Sequence, residues 1–148
     1  MNLYSDEWEG EMSRPGRSWR HKRAGGERIG AGLYELPPGG RTFPYHYHYG
    51  IEEWLLVVVG RPTVRTPDGT RELVAGDVVR FPVGAAGAHS IENASAEPAR
   101  VLIASNLVTP SVSVYPDSDK VATRTAEERD RLNFPRSAAV DYWHGEET

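Results

Sequence analysis

Residues 40–60 read GRTFPYHYHYGIEEWLLVVVG, and two patterns of polarity meet in that stretch. Counting by twos from Thr42, the residues Thr42, Pro44, His46 and His48 leave one face of a predicted strand over 42–49. Phe43, Tyr45, Tyr47 and Tyr49 leave the other. Residues 53–59, EWLLVVV, are apolar at nearly every position, as in a strand covered on both faces. With Glu53 inward, Leu55, Val57 and Val59 fill an interior while Trp54, Leu56 and Val58 face out. The outward residues then need cover, either from a second sheet of the same chain or from a second copy of it, and a homodimer is expected on that ground.

Further short strands are predicted over 28–36, 62–66, 70–73, 78–81, 90–93, 99–106 and 111–115. They are separated by turn chemistry such as Pro37-Pro38-Gly39-Gly40, Pro67-Asp68-Gly69 and Ala75-Gly76-Asp77. Strands this short and this regularly spaced predict a sandwich or barrel. After Pro116 the pattern changes. Residues 125–132, TAEERDRL, predict a short helix of about two turns with Thr125 as N-cap and Glu128 as its capping-box partner, and 140–146 form a tail carrying Tyr142 and Trp143. At the other end, Trp8, Trp19 and the basic cluster Arg14, Arg17, Arg20, His21, Lys22 and Arg23 are interrupted by Pro15-Gly16. This predicts a short irregular arm that pins its tryptophans and leaves its charges in water. The expected organisation is an arm over 1–27, a barrel over 28–116 and a tail over 117–148 packed on the barrel.

Composition narrows the function classes. Fifteen glycines and 11 prolines among 148 residues favour turns over long helices, and the reading is all-β. A formal charge of -4 gives no general attraction to nucleic acid or to an anionic membrane, so the basic cluster reads as a solvated face rather than a nucleic-acid patch. No apolar run approaches a membrane-spanning length, and the acidic N-terminal residues lack the pattern of a secretion signal, so a cytoplasmic location is expected. With no cysteine there is no disulfide frame, no thiolate nucleophile and no thiolate-bound metal.

Any metal site must therefore use imidazole and carboxylate. Two histidines two apart on a strand leave the same face and can converge on one point, and an ion would offset the desolvation of an inward Glu53. The competing reading of His46 and His48 alone is a histidine pair on a solvated strand.

The wider spacing goes further, because it resembles that of the cupins. The first cupin motif runs Gly, five residues, His-x-His, three or four residues, Glu, six residues, Gly, and Gly40, His46, His48, Glu53 and Gly60 meet it at every step. The second runs Gly, five residues, Pro-x-Gly, two residues, His, three residues, Asn. Gly76, Pro82, Gly84, His89 and Asn93 meet it with one departure: four residues, 85–88, stand between Gly84 and His89. The resemblance implies a double-stranded β-helix, or jelly-roll barrel, and a divalent transition metal (Fe, Mn, Ni or Zn) held by His46, His48, Glu53 and His89. On an octahedral ion that set leaves one or two positions open for water, dioxygen or a substrate oxygen.

It also implies a metal-dependent enzyme acting on a small oxygen-bearing molecule, with oxygenase chemistry favoured. An isomerase, a lyase and a non-catalytic ligand-binding cupin are the alternatives. Arg80, Tyr34 and Tyr45 are candidate pocket residues, although alternation puts Tyr45 on the face opposite His46. Residues 115–120 and 140–146 resemble a group of small bacterial cupins. That likeness makes Asp117, Asp119 and His144 candidates for the pocket mouth, against an Asx-turn and a tail packed through Tyr142 and Trp143.

Overall fold

A computed structural model describes residues 1–146. The strands are β1 (Gly10–Arg14), β2 (Arg17–Gly25), β3 (Ile29–Leu36), β4 (Tyr47–Tyr49), β5 (Glu53–Val59), β6 (Thr63–Thr66), β7 (Gly69–Glu72), β8 (Val78–Phe81), β9 (Ser90–Glu92), β10 (Ala99–Asn106), β11 (Ser111–Tyr115), β12 (Lys120–Arg124) and β13 (Asn133–Pro135). They form a six-stranded sheet in the order β1-β2-β3-β10-β5-β8, a four-stranded sheet β13-β12-β11-β4 and a three-stranded sheet β7-β6-β9. Isolated antiparallel bridges, Arg41 with Glu92 and His46 with His89, join the two smaller sheets. All named pairings are antiparallel, and the whole is the jelly-roll barrel expected of the sequence.

Alternation explains how one sheet face becomes the interior. On β5 Leu55 and Val57 are buried, on β10 Val101 and Ile103, and on β3 Tyr34 and Leu36. With Val64, Leu73 and Ile91 from the facing side they make one apolar cluster. Val59, expected inside, is 39% exposed where the β5–β10 register shifts between Arg100 and Val101, which breaks the alternation that holds as far as Val57. On the outer face the cover is partial: Leu33 and Lys22 are buried at the β2–β3 side, where Lys22 Nζ donates to Ser5, while Trp54 remains 45% exposed and Val78 56%.

Several expectations need correction. The irregular arm is a hairpin: β1 and β2 pair from Gly10 with His21 to Arg14 with Arg17, and β2 continues onto β3. Trp19 is buried in the core through it. Over 125–132 there is no α-helix, only a single 3-10 turn at Glu128–Asp130, inside the connection between β12 and β13. Thr125 Oγ1 donates to the Glu127 carbonyl and Arg131 Nε to that of Thr125, and these local bonds compete with the helical ladder. The stretch 42–49 is regular only from Tyr47, so strict alternation fails before it. Phe43 packs against the core, and Tyr47 is buried in a second cluster with Ala88 and Val114. In the tail, Tyr142 and Trp143 are 84% and 72% exposed and do not pack on the barrel.

Candidate functional site

The two histidine-bearing segments are joined by backbone. His46 N–H donates to the His89 carbonyl (3.0 Å) and His89 N–H to that of His46 (2.8 Å), which sets the two residues side by side. Their ring centroids lie 4.8 Å apart. His48 stands on β4 opposite Ser113 of β11, and Glu53 opens β5 between Phe81 of β8 and Ser105 of β10. The two extra residues of the loop before His89 are absorbed by one 3-10 turn, Ala85–Gly87. Gly87 is required in that turn, because a Cβ there would sit 1.8 Å from the Pro82 carbonyl oxygen. His89 is then delivered flat against Phe81, with ring centroids 3.7 Å apart.

Every ring is oriented by a bond on one nitrogen. Nδ1 of His46 lies 2.8 Å from the Pro44 carbonyl, Nδ1 of His89 lies 2.9 Å from that of Gly87, and Nδ1 of His48 lies 2.9 Å from Ser113 Oγ. A carbonyl can only accept, so in His46 and His89 the proton sits on Nδ1 and the Nε2 lone pair is available to a ligand. The Nε2 atoms of His48 and His89 stand 3.3 and 3.4 Å from Glu53 Oε2. Ligand atoms of His46, His48 and Glu53 all lie within 4.8 Å of one another, a group that could hold a metal ion.

Electrostatics prepares the same donors. Burial, then the charges of His89 and His48, push the His46 imidazole down to about 4. Burial likewise lowers His89. Burial works to raise the Glu53 carboxyl, but its bond from His48 and the charges of the three histidines outweigh that and hold it below the ordinary carboxylate value. Near neutral pH His46 and His89 are uncharged and Glu53 is ionised, the state in which each can donate electrons to a cation.

His46, His48 and Glu53 line a cavity of about 640 Å³ that also receives Tyr34, Tyr115, Arg23 and Arg124. The small residues Ala24, Gly25, Gly30, Ala31 and Gly32 leave its β2–β3 wall bare. At Gly32 a Cβ would come within 2.7 Å of the Tyr34 ring, so this glycine makes room for the phenol. Burial pushes the Tyr34 hydroxyl up, and Glu53 adds to that while Arg23 and Arg124 oppose it.

Of the candidate pocket residues, only Tyr34 is on this wall. Arg80 lies outside, exposed and paired with Glu52 at 2.9 Å. Tyr45 lines a separate pocket of about 180 Å³ under the Arg65 guanidinium, and Asp117 belongs to that pocket, paired with Arg65. Asp119 pairs with Arg136, and His144 is exposed on the tail. Arg23, Arg124 and Tyr115 were not singled out for this cavity by the sequence. Among the described residues no helix is long and apolar enough to cross a membrane.

The comparisons with known proteins agree with the fold. A search of the curated proteins found no match. At 26% identity and a TM-score of 0.79, the chain is similar to a protein of Acidithiobacillus ferrooxidans ATCC 23270 provisionally named a sugar phosphate isomerase, over 88% of this chain and 86% of that one. A sugar phosphate isomerase of the cupin superfamily from Silicibacter pomeroyi DSS-3 matches at 23% identity and a TM-score of 0.80, over 94% of each chain. The oxalate decarboxylase of Lactobacillus farciminis, in its formate complex, matches at 25% identity and a TM-score of 0.53, over 64% of this chain and 30% of that one. The family model for the cupin domain matches residues 32–105, half of the 148 residues. The chain belongs to the cupin domain family.

Proposed function

We propose that His46, His48, Glu53 and His89 hold one divalent transition-metal ion, Fe, Mn, Ni or Zn, and that the chain is a metalloenzyme acting on a small oxygen-bearing molecule. The observation that carries this is the orientation of the donors. Three imidazoles have Nδ1 tied to protein acceptors or a hydroxyl, and two Nε2 atoms face one carboxylate oxygen at 3.3 and 3.4 Å. Four buried or half-buried groups so arranged, without a cation, would leave Glu53 poorly solvated. Cysteine-dependent metals are excluded as residents because no thiolate exists. When bound, the ion would supply Lewis-acid polarisation of a substrate oxygen, and as iron also redox chemistry.

The remaining roles fall to the chain's own side chains. Tyr34 stays protonated because burial raises its phenol, so its O–H can donate to a substrate oxygen in the cavity. The Ser113 hydroxyl holds the His48 ring in place. Isomerisation is favoured over oxygenation by the likeness to the Acidithiobacillus protein, and this shifts the emphasis from the oxygenase chemistry that the motifs alone suggested.

A non-catalytic binding protein is the second reading. It is favoured by one feature: Glu53 is the only carboxylate on the cavity wall among the described residues, which leaves no separate carboxylate as general base. Turnover decides between them. Metal-loaded protein, incubated with a panel of aldose and ketose phosphates and followed by proton NMR, should interconvert at least one pair, and Tyr34→Phe should slow it about 10-fold or more. Binding of the panel without interconversion, together with no dioxygen uptake, would leave the binding protein.

A further inference from the structure

The cavity is unequally charged. Its wall carries one carboxylate, Glu53, and two guanidiniums, Arg23 from β2 and Arg124 from β12. Among the described residues neither arginine forms an ion pair. The nearest acid to Arg23 that makes a bond, Glu9, takes the backbone N–H of Arg23 (3.0 Å) and not its guanidinium. Arg124 also lines an adjoining cavity of about 400 Å³ that shares Thr109, Ser113 and Tyr115 with the first, so its side chain stands where the two meet.

Arginine on a cavity wall is not by itself informative, and the molecule contains the control. The 180 Å³ pocket beneath Tyr45 is lined by three arginines. There Arg41 is paired with Glu92 at 2.9 Å, Arg65 holds Asp117 through two bonds of 2.6 and 2.9 Å, and Arg17 donates to the Thr42 carbonyl. Two of its three guanidiniums are answered by carboxylates of the chain and the third by a backbone carbonyl. In the histidine cavity the guanidiniums are not so paired, and an ion held by the histidines would add more positive charge.

We infer that Arg23 and Arg124 form an oxyanion-binding end of this cavity. Its ligand is a small molecule with a phosphate or carboxylate at that end and neutral oxygen donors toward His46, His48 and Glu53. The second half of that statement rests on the metal reading above; the first does not. A guanidinium offers a planar fork of donors matched to either oxyanion, and an unanswered pair of them at the mouth of a cavity concentrates anions there. The 640 Å³ volume, open to the second cavity, has room for a ligand of sugar-phosphate size.

The test is calorimetric titration of the tag-free protein with inorganic phosphate, glucose 6-phosphate, succinate and uncharged glucose, with metal content measured on the same samples. The inference expects the anions to bind and glucose to bind far more weakly. Arg23→Gln and Arg124→Gln should each weaken the anions about 10-fold, and the double variant should abolish them, with melting temperature and metal content unchanged. Both side chains are exposed, so these variants keep the fold. Arg65→Gln, in the answered pocket, should change anion affinity less than about twofold. Tighter binding of glucose 6-phosphate than of succinate assigns a phosphate, and the reverse a carboxylate. Absence of anion binding, equal binding of glucose and glucose 6-phosphate, or unchanged affinities in the double variant would overturn the inference. Arginine-dependent binding by a protein that takes up no metal would sink the metal reading and leave this one standing.

Discussion

One strand, β5, serves two ends of the barrel that could hardly differ more. At one end Leu55 and Val57 are sealed among Val64, Leu73, Val101 and Ile91, with almost no exposed surface. At the other, two residues earlier, Glu53 looks into an open cavity beside three histidines. The packed end is built from residues that gain by leaving water, about 25 cal/mol for each Å² of apolar surface. The cavity end is built from groups that lose by leaving water: burial first, then its neighbours, holds His46 neutral, and the histidines hold Glu53 ionised. The difference separates what holds the fold together from what it is for. Stability should reside at the Leu55 end and binding at the Glu53 end.

The largest effect that would break this separation is expected in the core. Leu55→Ala should cost about 2–5 kcal/mol of unfolding free energy by denaturant titration, because the fully buried site cannot collapse around the cavity left behind. Any of the variant that stays folded should still take up metal. A loss below about 1 kcal/mol would mean that the packed end is not the source of stability.

Next is acid. In metal-free protein His46 titrates near 4 when folded and near its ordinary 6.5 when unfolded, so between those values the unfolded chain holds more protons and stability falls with falling pH. Glu53, held below its ordinary value, acts in the same sense, its contribution being lost as pH falls through its folded value. Together they should remove on the order of 3 kcal/mol between pH 7 and 4. His46→Ala should flatten that part of the profile. A flat profile in the unsubstituted protein would contradict the electrostatic account of the cavity end.

What could be read from the sequence follows the same division. The strands β5, β8, β10 and β11 were bounded correctly because each is a short run rich in β-branched or aromatic residues between turn signals. β1 and β2 were missed because charged residues dominate them and read as a solvated face, whereas Lys22 is buried against Ser5 and Arg20 pairs with Glu35. The signal was present in Pro15-Gly16, a two-residue link between Arg14 and Arg17, with the apolar Met12 and Trp19 placed to pair across the hairpin. The helix expected over 125–132 came from local propensity, which pairing of β12 with β13 overrides. Motif spacing singled out His46, His48, Glu53 and His89, and the structure gathers ligand atoms of His46, His48 and Glu53 within 4.8 Å of one another and sets His89 Nε2 3.4 Å from Glu53. That Arg23 and Arg124 line the same cavity was not legible, since β2 and β12 are brought to one cavity only by the packing of sheets, and each arginine alone looks like a solvated charge.

The central claim is that four side chains at one end of the barrel hold a single ion. The most direct measurement is elemental analysis of tag-free protein reloaded anaerobically with Fe(II), Mn(II), Ni(II) or Zn(II) and desalted, with His48→Ala and His89→Ala alongside. The account predicts near one equivalent of at least one metal per chain, lost in both variants. No retained metal, or metal retained equally by both variants, would contradict it.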